Sequence, residues 1–341
     1  MLIPHNRPTF NHEETRAARR VIKSGWVAQG EKVEEFEEKF CEYMGLPRGH
    51  AVAVSSGSAA LYIAILGLEA KGQRVGLPVY TCAAVNNAVT LAGSESIFID
   101  NSTEGPNLDI SIADEAELHT LIAVSTFGIP VSLPVKRNYL VIEDISQALG
   151  ANVGAQKLGL RGDAGICSFS ATKLITSAGQ GGMVFSSDKR LADFARDYRD
   201  FDAREDRLSR FNFQMTDIQA AIGTVQLAKL PSFLRKREEI FNIYSNIGLD
   251  LLKETESNHS PSRYRAVIRN TTPIKVQKKL YEEGISTIIP FTYEELLRTS
   301  IKDKNAVDLS KSSLSIPIYP SLTLGQAKKI AKTVKVIIGR A

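Results

Sequence analysis

Short apolar runs alternate with helical stretches through the first half of this 341-residue chain, and that alternation leaves few folds open. Ala51–Val54 reads as a buried strand and Ser58–Ala70 as a helix. Arg74–Leu77 reads as a strand stopped by Pro78, Thr81–Ala92 as a helix, and Ser96–Ile99 as a strand. Further apolar runs at Leu121–Val124, Leu140–Ile142, Ile166–Phe169 and Met183–Phe185 are strand-length and show little polar alternation. Strands buried on both faces read this way. The expected fold class is therefore α/β, a mostly parallel sheet sandwiched by helices.

Two helices precede this region, Asn11–Ser24 closed by Gly25 and Glu31–Met44 closed by Gly45. After Asp188 the chain turns helical: Asp188–Tyr198, Thr216–Lys229 and Pro231–Leu252, the last a candidate connection between domains. Lys253–Ser262 is polar and reads as a linker. Tyr264–Ile268, the helix Pro273–Glu283, Ile285–Ile289, Leu314–Pro317 and the helix Thr323–Ile338 form a second, smaller α/β pattern. The expected domains are 1–235, large, and 236–341, small and including the connecting helix.

The formal net charge is +4, too small to imply nucleic-acid binding. The three cysteines, Cys41, Cys82 and Cys167, have no CxxC spacing and form no disulfide framework, which predicts a reduced, cytoplasmic setting. The start of the chain is too polar for a signal peptide, and no apolar run is long enough for a bilayer. No metal site is expected. There is no GxxxxGK[ST] motif, and the glycines near Gly181 follow the wrong element for a dinucleotide fingerprint.

Chemistry is indicated at three places. Ser55-Ser56-Gly57-Ser58-Ala59-Ala60-Leu61 lies between a strand and a helix, where free N–H groups and the helix dipole accept a phosphate. Ser58 reads as the N-cap; the same composition also serves an ordinary α/β turn. Asp144 ends the strand Leu140–Ile142, at the sheet edge where ligands collect. A carboxylate there can hold a pyridine nitrogen protonated, although an acidic pair on the surface or a helix cap is the plain alternative, and Glu143 fits that description. Lys173 follows the last residues of Ile166–Phe169 in a Ser/Thr/Gly setting. Its amine can form a Schiff base with pyridoxal 5'-phosphate (PLP), and once freed can act as a general base. Ser168, five residues earlier, can donate to the phosphate.

With these segments in order, the chain resembles the DegT/DnrJ/EryC1/StrS family of PLP-dependent sugar aminotransferases, within fold type I. The likeness starts at Ile3-Pro4 and Arg7-Pro8 and continues through Ser24-Gly25-Trp26, Gly30, Val33 and Phe36-Glu37. It includes Ser56 to Leu61, Glu143-Asp144-Ile145-Ser146-Gln147, Ser168 to Lys173, and Phe211-Asn212-Phe213-Gln214-Met215-Thr216. Through about Pro231 the likeness is close, and beyond it weaker.

The resemblance implies that Lys173 and Asp144 are the catalytic residues, with PLP held as a covalent Schiff base on Lys173. It implies a cofactor site of Gly57, Ser58, Ala59, Cys82, Asp144, Gln147, Ser168, Lys173 and Asn212. Gln147 would sit near the ring's phenolic oxygen. Asn212 would reach the phosphate of a partner subunit, making the active unit a homodimer. The donor would be an amino acid, glutamate or glutamine, and the acceptor a keto sugar carried on a nucleotide, in amino-sugar or polysaccharide biosynthesis or secondary metabolism. Lysine at 173, where dehydrating relatives carry histidine, favours transamination. Neither nucleic acid nor membrane is implied as a partner.

The chain departs from the family pattern at four places. Cys82 stands where many relatives place an aromatic ring over the cofactor, Leu149 where many have histidine, and Gln214 where arginine is common. The region after Pro290 is short and lacks the tyrosine- and histidine-bearing substrate segment. Three other readings stay open from sequence: a cyclitol or aminobenzoate-type aminotransferase, a PLP-binding protein without catalysis, and a desulfurase using Cys82.

Overall fold

The computed structural model describes residues 2–270 and 272–339. Met1, Thr271, Arg340 and Ala341, which include the outer ends of the two expected domains, lie outside the described residues.

The strands are β1 (Ala51–Val54), β2 (Arg74–Pro78), β3 (Glu95–Ile99), β4 (Thr120–Val124), β5 (Leu140–Asp144), β6 (Asn152–Val153), β7 (Gln156–Lys157), β8 (Ala164–Ser168), β9 (Gly182–Phe185), β10 (His259–Ser260), β11 (Ala266–Arg269) and β12 (Ser313–Ile316). The helices are α1 (His12–Ser24), α2 (Glu31–Met44), α3 (Gly57–Gly67), α4 (Ala83–Leu91), α5 (Ile110–Glu115), α6 (Lys189–Arg199), α7 (Asp217–Asn246), α8 (Pro273–Glu282), α9 (Lys304–Ser312) and α10 (Leu324–Ile338).

Seven strands form the central sheet in the order β1-β9-β8-β5-β4-β2-β3. All its pairings are parallel except those of β9, which runs antiparallel to both β1 and β8. The sheet is mostly parallel, as its apolar, non-alternating strands require. One face packs on α3 and α4 through Ile63, Val85 and Val89, and on α6 through Leu191 and Ala195. The other packs on α2 and the first half of α7 through Phe36, Phe40, Leu227 and Phe233. A third core gathers Ile240, Phe241 and Tyr244 of α7 with β11, β12, α8 and α10, and Ile3 joins it.

Several expectations fail for physical reasons. The helix expected to break at Pro231 is one 30-residue helix, α7. A proline inside a helix costs about 3 kcal/mol, but Leu230, Phe233 and Ile240 are buried on either side of it and hold the helix together. The region expected as a linker at 253–262 contains β10, which pairs with β6. The run Ile285–Ile289 forms only single bridges, Ile3 to Ile285 and Ile288 to Ser315. The strand expected from Tyr264 begins at Ala266, which leaves Tyr264 in the loop before it. The helix after β1 starts at Gly57, with Ser56 and not Ser58 as its N-cap.

Candidate active site

The carboxyl ends of β1, β5 and β8 lie along one edge of the sheet, and each leads into a segment that the sequence singles out. At the end of β1, the extended Ser56 accepts a hydrogen bond at Oγ from the Ala59 N–H, at 3.1 Å. The Ala60 N–H bonds the Ser56 carbonyl, at 3.0 Å. That leaves the N–H groups of Gly57 and Ser58 without intrahelical partners at the positive end of α3. Of the three residues expected to meet a phosphate here, Ala59 has its N–H already engaged.

Strand register builds the other wall. Ser168 at the end of β8 pairs with Gly182, which pairs in turn with Val54. This row draws the β1–α3 turn onto Ser168. A Cβ on Gly57 would lie 2.7 Å from the Ser168 Cβ, and one on Gly182 would lie 2.2 Å from the Ser56 carbonyl oxygen. Two glycines therefore allow a close approach that no other residue would permit. The result is a cradle of bare N–H groups and one hydroxyl, a donor set suited to a phosphate.

Asp144 is buried at the end of β5, and its Oδ1 accepts from the Ser146 N–H at 2.8 Å. Burial raises its carboxyl above the usual range, while Ser146 and the charge of Lys173 oppose the rise. A dry carboxylate held by Ser146 is suited to a cationic N–H partner. Glu143, one residue earlier, is neither a surface acid nor a cap. It is buried against Arg161, with Oε2 accepting from Nη2 at 2.7 Å and Oε1 from the Arg161 N–H at 2.6 Å.

Gln147 accepts from the Phe127 N–H at Oε1, at 2.9 Å, and this fixes the side chain. Its amide nitrogen has no partner among the described residues, so the donor remains available. Phe127 itself sits in the left-handed region, with φ +60°.

Lys173 stands in the loop between β8 and β9, which is closed by the Ala171 N–H to Gly179 carbonyl bond at 2.9 Å. From the N-terminal segment, the Asn6 amide donates to the Thr172 carbonyl at 2.9 Å. The Lys173 Nζ lies 5.7 Å from the centroid of the Tyr264 ring, and the Arg265 guanidinium lies 5.2 Å from the same ring. Burial alone would push the Tyr264 phenol up. The charges of Lys173 and Arg265, the Thr172 hydroxyl and Arg237 outweigh it and hold the phenol below its ordinary range. Arg237 is fully buried and donates from Nη1 to the carbonyls of Tyr264 and Ile318, each at 3.0 Å.

The structure thus brings Gly57, Ser58, Asp144, Gln147, Ser168 and Lys173 to one edge. Their donors and acceptors fit PLP: a phosphate cradle, an acid for the ring nitrogen, an amide donor and an amine. Cys82 is exposed at the N-cap position of α4 and makes no capping bond. Asn212 is exposed, and its Oδ1 accepts from the Gln214 N–H at 3.2 Å. The segment that carries it is tied to the cradle by the Ser55 N–H to Phe213 carbonyl bond at 2.7 Å. Sequence reasoning missed Tyr264, Arg265 and His5, which come from distant segments with no motif spacing. The one available signal was two arginines flanking an otherwise apolar strand at Arg265 and Arg269.

Among the described residues no group of three or more His, Cys, Asp or Glu could hold a metal ion, and no helix is long and apolar enough to cross a membrane.

The sequence model of the DegT/DnrJ/EryC1/StrS aminotransferase family matches residues 8–335. The chain is 30% identical to the UDP-4-amino-4,6-dideoxy-N-acetyl-beta-L-altrosamine transaminase of Campylobacter jejuni, over 97% of this chain and 96% of that protein. It is 28% identical to the GDP-perosamine synthase of Escherichia coli O157:H7, over 97% of each chain. Among solved structures it is similar to an aminotransferase from Streptoalloteichus hindustanus, with a TM-score of 0.91, 25% identity and full coverage of both chains.

Proposed function

This chain belongs to the DegT/DnrJ/EryC1/StrS aminotransferase family, and on that premise we propose that it moves an amino group from glutamate or glutamine to a keto sugar carried on a nucleotide. It is an aminotransferase of a PLP-dependent family with the fold of those enzymes, and its relatives act in amino-sugar biosynthesis. The nucleotide and the sugar are carried over from the relatives' substrates. The observation that most supports the reading is the convergence of Lys173, Asp144, Ser168 and the start of α3 on one edge of the sheet.

PLP, when bound, supplies an electron-withdrawing ring through which an amine is passed from donor to acceptor. Lys173 would be the residue that links to it covalently, and its amine, once displaced by the incoming amine, would take the proton from the donor Cα and later return one to the acceptor. Asp144 holds a proton on the ring nitrogen through a charge-assisted hydrogen bond. Gln147 gives its unused amide N–H to the ring oxygen, while the N–H groups of Gly57 and Ser58, the start of α3 at Ala59, and the Ser168 hydroxyl hold the phosphate. Cys82 would offer the ring a smaller contact than an aromatic residue would make.

Asn212 serves the site of a second copy, so the active unit is a homodimer in the cytoplasm. The exposed Leu208 and Phe211, 70% and 50% accessible, precede it in the chain and offer apolar surface to that copy. The domain boundary is 235/236, within α7, between Phe233 in one core and Ile240 in the other.

The test is direct assay of the PLP-loaded protein with glutamate or glutamine and a panel of nucleotide-linked keto sugars. Release of the oxo acid matched by an aminated sugar is the expected result. Amination of keto cyclitols alone would overturn the acceptor assignment.

A further inference from the structure

Four charged side chains in the approach to Asn212 close on one another. Arg210 donates from Nη2 to Asp197 Oδ2 at 2.8 Å and from Nη1 to Asp206 Oδ1 at 2.6 Å. A third bond runs from Nη2 to Asp206 Oδ2, at 3.2 Å. Arg204 donates to the same two carboxylates. The Arg210 side chain is only 4% accessible, so the fork is covered. Isolated surface pairs hold little, whereas a network around a covered bidentate arginine keeps its shape. Arg210, ahead of every other cause, holds both aspartates below the usual carboxylate range, so the clamp stays ionised at neutral pH.

The clamp restrains a segment with little else to define it. Residues 200–216, between α6 and α7, form neither helix nor sheet strand. Asp197 belongs to α6 and Arg210 lies two residues before Asn212, so their ion pair closes the stretch between them into a loop. Beyond the clamp, Phe211 meets Tyr62 of α3 edge-on, with ring centroids 6.2 Å apart, and Phe213 stacks on Tyr198 of α6 at 6.2 Å. Asn212 between them turns Oδ1 back to the Gln214 N–H. Its amide nitrogen is left as an exposed donor, with no hydrogen bond among the described residues.

We propose that Arg210 is a positioning residue: through Asp197 and Asp206 it holds the Asn212 amide where the cofactor phosphate of a second copy meets it. This rests on the reading of Asn212 as a donor to that phosphate. A hydrogen bond weakens steeply when its donor is misaligned, so one amide is useful only where the backbone fixes it. Without the Arg210 fork, two carboxylates face the single guanidinium of Arg204, and the loop loses its closure on the Asn212 side. A clamp that merely braced the fold would affect every ligand of the site alike. One that places Asn212 affects only ligands that carry a phosphate.

The experiment titrates the full chain, freed of cofactor, with PLP and separately with pyridoxal. Pyridoxal forms the same link to a lysine but has no phosphate. The proteins are wild type, Arg210→Gln, Arg210→Lys, Asn212→Ala and the double variant Arg210→Gln/Asn212→Ala. The PLP Kd is expected to rise about tenfold in Asn212→Ala, as for one lost hydrogen bond to a charged group, and about three- to tenfold in Arg210→Gln. Arg210→Lys, which keeps the charge but not the fork, should fall between Arg210→Gln and wild type. The pyridoxal Kd should stay within about twofold throughout, and the double variant should bind PLP no more weakly than Asn212→Ala alone. All variants should sediment as the wild type does.

An unchanged PLP Kd in Arg210→Gln, with Asn212→Ala weakened, overturns the inference. Equal losses for PLP and pyridoxal overturn it too and leave the clamp a brace for the fold. So does a further loss in the double variant, which would give Arg210 an effect of its own, or a loss that tracks dissociation of subunits. If Asn212→Ala binds PLP as the wild type does, the reading of Asn212 fails, and the inference falls with it.

Discussion

The Lys173 amine and the Tyr264 ring face each other at 5.7 Å, joined from segments far apart in the chain. Charge and aromatic face at that distance attract by about 0.5–2 kcal/mol. The loop before β11 therefore bears on the lysine as directly as the lysine's own loop does. Lys173→Ala is expected to abolish the visible absorption band of the PLP-loaded protein and to lower turnover at least a thousandfold. A far-UV dichroism spectrum unchanged from the wild type, together with the lost band, checks it.

Asp144→Asn should separate stability from activity. The Asn side chain keeps an oxygen for the Ser146 N–H but removes a carboxylate whose pKa burial has raised. A group with a raised folded pKa favours the folded state at low pH and loses that advantage as pH rises through the folded value. Thermal melts of the cofactor-free variant at pH 8 should match or exceed wild type, while turnover with PLP falls about a hundredfold or more.

His5 makes the N-terminal segment acid-sensitive. It is buried, its Nε2 is 2.8 Å from the Ser315 Oγ, and its pKa falls from 6.5 to about 3 on folding. The unfolded chain binds the proton first as pH drops, so stability is full above pH 6.5 and is lost between pH 6.5 and about 3. The slope from this one group is about 1.4 kcal/mol per pH unit. Denaturant melts at pH 7 and pH 5 should differ less in His5→Gln than in wild type.

Gly182→Ala is expected to destabilise the fold by about 3 kcal/mol. Its Cβ would meet the Ser56 carbonyl oxygen at 2.2 Å, and backbone cannot turn aside as a side chain can. Urea melts of the cofactor-free protein give the magnitude. A loss below about 0.5 kcal/mol would mean that β1 and β9 separate easily.

Asn212 lends itself to a mixing experiment. If it completes the site of a second copy, Lys173→Ala and Asn212→Ala proteins are each weakly active alone. Unfolded and refolded together, they form mixed dimers in which one site has both residues, and activity returns. No recovery on mixing would place Asn212 in its own subunit's site.

Much of the fold was legible because most strands of the central sheet are short, apolar and buried on both faces, and they alternate with longer helical stretches. Asp144 and Ser168 could be singled out as candidates because they end such strands, where a sheet presents its ligands. Ser58 was misread as the cap because sequence offers three serines around Gly57, and only the extended backbone at Ser56 selects among them. Pro231 was misread because its local preference is decided by two cores on either side of it. Tyr264 and Arg265 were missed since nothing local marks a residue that matters through what folds against it.

The close approach of Gly57 to Ser168 and of Gly182 to Ser56 has a consequence for how this site tolerates change. The wall proposed to hold the phosphate is written in atoms that every residue owns, and it is made possible by side chains that are missing. A survey of all substitutions along the chain would find these two positions as unforgiving as Lys173. The cause would be volume and not chemistry, and even alanine, the mildest replacement, would be refused at both.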